Sequence, residues 1–108
     1  MFFWKKISIL IILAFVLFLA GCIPDPTVLH RVHYHDNGST YGFPPEDTNE
    51  YLTGTEVIVM GKNTLLKDGY TFKHWNTKAD GTGTAYYPGD KLLIRHYDVF
   101  LYAIWEPN

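Results

Sequence analysis

Gly69-Tyr-Thr-Phe-Lys-His-Trp-Asn76 and Val99-Phe-Leu-Tyr-Ala-Ile-Trp105 are the two stretches whose reading decides the fold. Both are rich in β-branched and aromatic residues and are bounded by Gly, Asn, Asp or Pro, the pattern of β-strands. Side chains alternate faces along a strand, so Tyr70 and Phe72 share one face while Trp75 has the opposite parity. Strict alternation would push one large ring out of the core. A bulge or bend near Lys73-His74 adds one residue and returns Trp75 to the core side. In the second stretch, Val99, Leu101, Ala103 and Trp105 form one face, and Phe100, Tyr102 and Ile104 form the other. A strand apolar on both faces is either central and covered twice, or offers one face to a partner. Trp75 and Trp105 are both expected to be largely buried.

Working outward, the same strand composition recurs at Val28–His35, Glu56–Met60, Tyr70–Trp75 and Val99–Trp105, with a short fifth segment at Lys91–Ile94. Asp36-Asn37-Gly38 carries the chemistry of a tight turn, since Asn and Gly tolerate positive φ. Pro44-Pro45-Glu46-Asp47-Thr48 is expected to open one short helical turn before Tyr51.

The amino terminus is of a different kind. Lys5 and Lys6 precede an apolar run from Ile7 to Ala20, broken only by Ser8. At about 14 residues it is shorter than the roughly 20 of a membrane-spanning helix, and its charged start and small-residue end are those of a secretory signal peptide. Leu19-Ala20-Gly21-Cys22 matches the lipobox of bacterial lipoprotein precursors. The small residues let the backbone enter a signal peptidase cleft, and the Cys22 thiol is the nucleophile that takes up diacylglycerol. Cys22 is the one cysteine of the 108-residue chain and falls where a lipobox requires it. Residues 1–21 are therefore expected to be a lipoprotein signal peptide, 22–27 a lipidated tether and 28–108 the folded domain. Two or three acyl chains anchor a protein stably, whereas a single chain gives only marginal binding. The expected location is the cell envelope, with the chain exported and lipid-anchored at the outer membrane or cell surface. Ile23 is not the aspartate that often retains such proteins at an inner membrane.

Composition narrows the function. A domain this small is marginally stable without disulfides and needs dense packing, which Trp75, Trp105 and eight tyrosines can supply. The net charge is −2 for the whole chain, and loss of Lys5 and Lys6 makes the remainder more acidic still. Such a domain has no electrostatic reason to hold nucleic acid.

Gly69-Tyr-Thr-Phe72, Trp75-Asn-Thr77, Asp80-Gly-Thr-Gly83, Tyr86, Gly89 and Val99-Phe-Leu-Tyr-Ala-Ile-Trp105, in that order, resemble the internalin B-repeat family, also known as the Listeria–Bacteroides repeat. Val32-His-Tyr-His-Asp-Asn-Gly38 looks like the family's opening strand and turn. The likeness runs over roughly residues 28–107. It implies an α+β, mostly β, small β-grasp-like domain, found in bacterial surface proteins, often in tandem arrays, and serving as a spacer or adhesive module. No catalytic residues come with the family. Three features depart from its pattern: His74 stands where glycine is usual, Phe100 and Ile104 stand where polar residues are common, and one copy is present.

Other chemistry has weaker support. His33 and His35 share a strand face at a two-residue spacing that a metal site could use. No cysteine completes a set, although Asp36 could add an oxygen, and His30, His74 and His96 do not join them by spacing. They remain the weak candidates for a ligand- or metal-binding lipoprotein. Asp80-Gly81-Thr82-Gly83 offers one carboxylate, too few for a calcium loop, and no helix start for a phosphate loop, so it reads as a hairpin turn. An enzyme would need a nucleophile, a base and an orienting group. Ser39 is the one serine after Cys22, and Cys22 is reserved for lipid. Neither catalysis nor a cofactor is expected. Phe100, Tyr102 and Ile104, with Tyr86 and Tyr87, are instead the candidates for a contact surface toward a protein or glycan partner.

Overall fold

A computed structural model describes Asp25 and residues 27–108 of the chain. Leu19, Ala20, Gly21 and Cys22, and with them the signal-peptide and lipidation expectations, lie outside the described residues.

Among the described residues six strands form: β1 (Val32–His35), β2 (Glu56–Ile58), β3 (Tyr70–Asn76), β4 (Ala85–Tyr86), β5 (Lys91–Leu93) and β6 (Val99–Pro107). They make a four-stranded sheet of order β1-β6-β3-β4 and a two-stranded sheet of β2 and β5. β6 runs parallel to β1 and antiparallel to β3, so the strand apolar on both faces is indeed central. One side of the larger sheet presents Val32, Tyr34, Trp75, Leu101 and Ala103, and these pack with Val57, Val59, Leu65, Leu92 and Ile94 from the smaller sheet and its flanking loops. The mostly β expectation holds. The α+β, β-grasp-like one is not met, because no helix occurs among the described residues and the second sheet and loops cover the core face instead.

The expected bulge in β3 is present. Phe72 pairs with Trp105 and His74 with Ile104, which leaves Lys73 as the extra residue. Trp75 thereby faces the core opposite Ala103, is fully buried, and donates its Nε1–H to the Met60 carbonyl at 2.8 Å. Trp105 differs from expectation. Near the end of β6 it is only half-buried, against Phe72, and its Nε1–H donates to the Asp36 carbonyl at 3.0 Å. The ring ties the first turn to the last strand.

That turn forms as its residues dictate. Asn37 and Gly38 adopt φ of 49° and 90°, and the Asn37 Nδ2 donates to the carbonyls of Ala79 and Ala103. The helical turn expected at Pro44–Thr48 does not form. Pro44 and Pro45 lack an N–H, and the buried Asp47 carboxylate accepts from the Asn49 N–H, the Asn49 side chain and the Tyr51 hydroxyl. Local side-chain bonds of this kind replace helical ones.

Candidate functional site

The strand register builds the site. In the parallel β1–β6 pair, His33 stands opposite Phe100 and His35 opposite Tyr102. Val32, Tyr34, Leu101 and Ala103 occupy the core face, so these four rings stand on the other. Neighbouring strands are about 4.8 Å apart, close to the stacking distance of flat rings. His33 lies 4.7 Å from Phe100 at 13°, and His35 lies 4.9 Å from Tyr102 at 16°. Each histidine covers one face of an aromatic ring.

Asp98, just before β6, anchors this row. Its Oδ1 accepts the Arg31 N–H at 3.0 Å, its Oδ2 lies 2.9 Å from His33 Nε2, and His30 Nδ1 lies 3.7 Å from Oδ1. The hydrogen bonds from the His33 side chain and the Arg31 backbone hold its carboxyl below the usual carboxylate range. The carboxylate is held on three sides and still 38% exposed.

The far end of the row is partly covered. Asn76, opposite Tyr102, is buried. Its Oδ1 accepts the N–H groups of Lys78 and Gly83, and its Nδ2 donates to the Gly81 and Gly83 carbonyls. These bonds shape the 77–84 loop of the β3–β4 hairpin and bring it against this face. A methyl group at Gly81 would sit 3.7 Å from Ile104 Cδ1. Asp80 closes the turn by accepting the N–H and hydroxyl of Thr82, which is the hairpin chemistry its sequence suggests. Phe100, Tyr102 and Ile104 are therefore not one uniform strip: Phe100 is 45% exposed, while Tyr102 and Ile104 are half-buried.

Two open depressions flank the row. A cleft of about 450 Å³ runs beside β1, lined by His33, His35 and the Phe43–Asp47 segment. A groove of about 360 Å³ lies beside the first half of β6, where the pairing with β3 has stopped at Asn76–Tyr102. Phe100, Tyr97, Asp98, Arg95, Tyr86 and Thr77 line it. Tyr97 is 78% exposed.

The expected pairing of His33 and His35 on one face is observed, but their nearest partners are Asp98, Phe100 and Tyr102. His30 is buried and bridges Tyr51 through its backbone, and His74 stands opposite Ile104 with its Nδ1 2.9 Å from the Trp75 carbonyl oxygen. Among the described residues no group of three or more His, Cys, Asp or Glu side chains is placed to share a metal ion. Asp98 and Tyr97 belong to no motif in the sequence and are placed here by the fold. Asp98 meets His33 across 65 residues of chain, a meeting set by the β1–β6 register and without a local signal.

Residues 30–104 match the model of the Listeria-Bacteroides repeat domain. Two relatives come from Evansella cellulosilytica. One, named as a Gly-rich membrane protein, is 46% identical over 79 residues, which is 73% of this chain and 9% of the relative. The other, named as a membrane protein, is 40% identical over 79 residues, 73% of this chain and 12% of the relative. The chain thus spans about a tenth of the length of the curated relatives it matches. No solved structure gives a significant match. On this likeness, carried as a single copy, the chain belongs to the Listeria-Bacteroides repeat family.

Proposed function

We propose that the chain is an exported envelope lipoprotein, held to the membrane through Cys22, whose β domain is a non-catalytic structural or interaction module. The observation that carries the interaction part is the uncovered end of the outer sheet face, where Phe100 and Tyr97 stand exposed at one groove. Single exposed apolar residues are ordinary on small domains. Two exposed aromatic residues lining one groove together with Thr77 and Arg95 are a more specific arrangement. Membership of the repeat family and the membrane-protein names of the two relatives support an envelope location. The lipobox spacing supports the anchor. His33 and His35 serve this surface by stacking under its rings.

Metabolic labelling with palmitate, followed by membrane fractionation, tests the anchor. The wild-type chain should be labelled. Cys22→Ser should lose the label and remain as unprocessed precursor held by its apolar leader. Unchanged labelling in that variant removes the lipoprotein reading.

A further inference from the structure

We propose that the end of the domain from which the chain leaves toward Cys22 rests on the lipid surface, with Val28, Leu29, Leu52 and Tyr97 set into its headgroup zone. This rests on the lipid-anchored reading above and adds how the domain is oriented on the membrane that holds it.

The strand register assembles that end. β1 and β6 run parallel and start level, with Val32 opposite Val99. One residue earlier Asp98 accepts the Arg31 N–H, so Tyr97 and the Val28–His30 lead-in stand at the same end of the sheet. His30 exchanges both backbone bonds with Tyr51 in an antiparallel bridge, which sets Leu29 directly across from Leu52. Thr53 then donates its hydroxyl to the Arg95 carbonyl at 2.7 Å and brings the Arg95–Tyr97 segment alongside. Val28, Leu29 and Leu52 are 49%, 47% and 50% exposed, and Tyr97 is 78% exposed. Three aliphatic side chains beside a ring with an apolar body and a polar tip suit a bilayer interface, where tyrosine is enriched.

What covers them follows from the length of chain. Five residues, Ile23 to Thr27, separate Val28 from Cys22. Even fully extended, the path from Cys22 to Val28 spans about 20 Å, less than the roughly 30 Å across a small domain. Its described part is turned, which shortens it further: the Asp25 carboxylate accepts the Thr27 N–H and hydroxyl, and the Asp25 carbonyl accepts the Val28 N–H. An acylated Cys22 therefore keeps this end next to the bilayer. At that range the lipid surface is present at high effective concentration, so a contact too weak to hold a free domain is still occupied. Tyr41, Phe43 and Leu66 make a second exposed apolar group. They lie beyond the Asp36–Gly38 turn that follows β1, at the end the tether does not reach.

Charge does not drive the contact. Arg31 and Arg95 at this end are offset by Asp25, Glu50 and Asp98, and Arg31 and Asp98 are already bonded to Thr48 and His33. The surface this end fits is a zwitterionic bilayer, entered by apolar burial.

The test uses the full chain expressed with its leader, purified as the lipidated mature protein and labelled with ¹⁵N. It is placed in dimyristoyl- and dihexanoyl-phosphatidylcholine bicelles carrying 5-doxyl phosphatidylcholine, and broadening of each amide is measured. Amides at Val28, Leu29, Leu52, Thr53, His96 and Tyr97 should broaden, and those at Tyr41 and Leu66 should not. Proximity through the tether alone is separated from contact by Leu29→Ser with Leu52→Ser and Tyr97→Ser. Broadening at Thr53 and His96 should then fall by about threefold or more as the docked population drops, at an unchanged melting temperature. Tyr97→Ser alone, at the most exposed of the four, should lower it in the same direction even if the triple variant is unstable. The proposal is overturned by equal broadening at both ends, by unchanged broadening in the variants, or by a requirement for added phosphatidylglycerol. A chain without palmitate label removes the anchor and this inference together, whereas a labelled chain lacking the pattern removes this inference alone.

Discussion

Replacing Trp75 by alanine removes the largest fully buried side chain among the described residues. Its ring meets Tyr34 edge-on at 4.9 Å and Phe72 at 5.1 Å, and its Nε1–H is bonded to the Met60 carbonyl at 2.8 Å. Truncation of a buried aromatic typically costs about 3–5 kcal/mol through lost burial and the cavity left behind. The orphaned carbonyl adds about 1–3 kcal/mol unless water enters to replace the donor. These contributions overlap, so a total of about 5 kcal/mol follows. A domain of about 80 residues has a stability of roughly 4–12 kcal/mol, so the variant should be largely unfolded or close to it. Trp105→Ala is the internal comparison. That ring is half-buried, and its donor bond to Asp36 is exposed to solvent, so a loss of about 1–2 kcal/mol is expected. Urea denaturation of the full chain followed by far-ultraviolet circular dichroism measures both. A Trp75→Ala midpoint near wild type, or a larger loss for Trp105→Ala, would refute the assignment of the bulge as the device that seats the core.

The outer face should respond unevenly to substitution. Phe100→Thr, at an exposed ring, should change stability by less than about 0.5 kcal/mol, whereas Ile104→Gln, against the Gly81 loop, should cost about 1 kcal/mol. Thermal melts of the two single variants decide this, and the reverse order would mean the loop does not lie on Ile104. The second expectation is acid sensitivity from Asp98. Its carboxyl has a lower pKa folded than unfolded, so the stabilisation is full above the ordinary carboxylate range and is lost as pH falls through the folded value, below pH about 4. The effect is small because the side chain is more than a third exposed. Melting temperatures measured from pH 6 to pH 2 should fall less steeply for Asp98→Asn, and parallel curves would show that the carboxylate is not coupled to folding.

Several elements were legible in the sequence because their causes are local. The parity conflict at Trp75 is contained within Tyr70–Asn76, and a bulge is the direct way to bury both Phe72 and Trp75 on one side. Asn37-Gly38 and Asp80–Gly83 carry their own turn chemistry, and β6 announces by its two apolar faces that something lies on each. The segments that misled did so where distant contacts compete with local preference. Pro44–Thr48 reads as a helix start until the Asp47 carboxylate is seen to be taken by Asn49 and Tyr51. Ala85–Tyr86 is too short to show as a strand without β3 to pair with. Trp105 reads as core by parity, yet it lies near the end of the last strand, where the sheet no longer covers it. The groove was the least legible. Its parts are Thr77, Tyr86, Arg95, Tyr97, Asp98 and Phe100, and they meet because β3 stops one pair short of Leu101 while β1 continues alongside β6. Composition and periodicity determined that the chain would form strands and which faces would be apolar. Register and strand order, set by long-range pairing free energy that no single segment contains, decided which of those faces remains open to solvent.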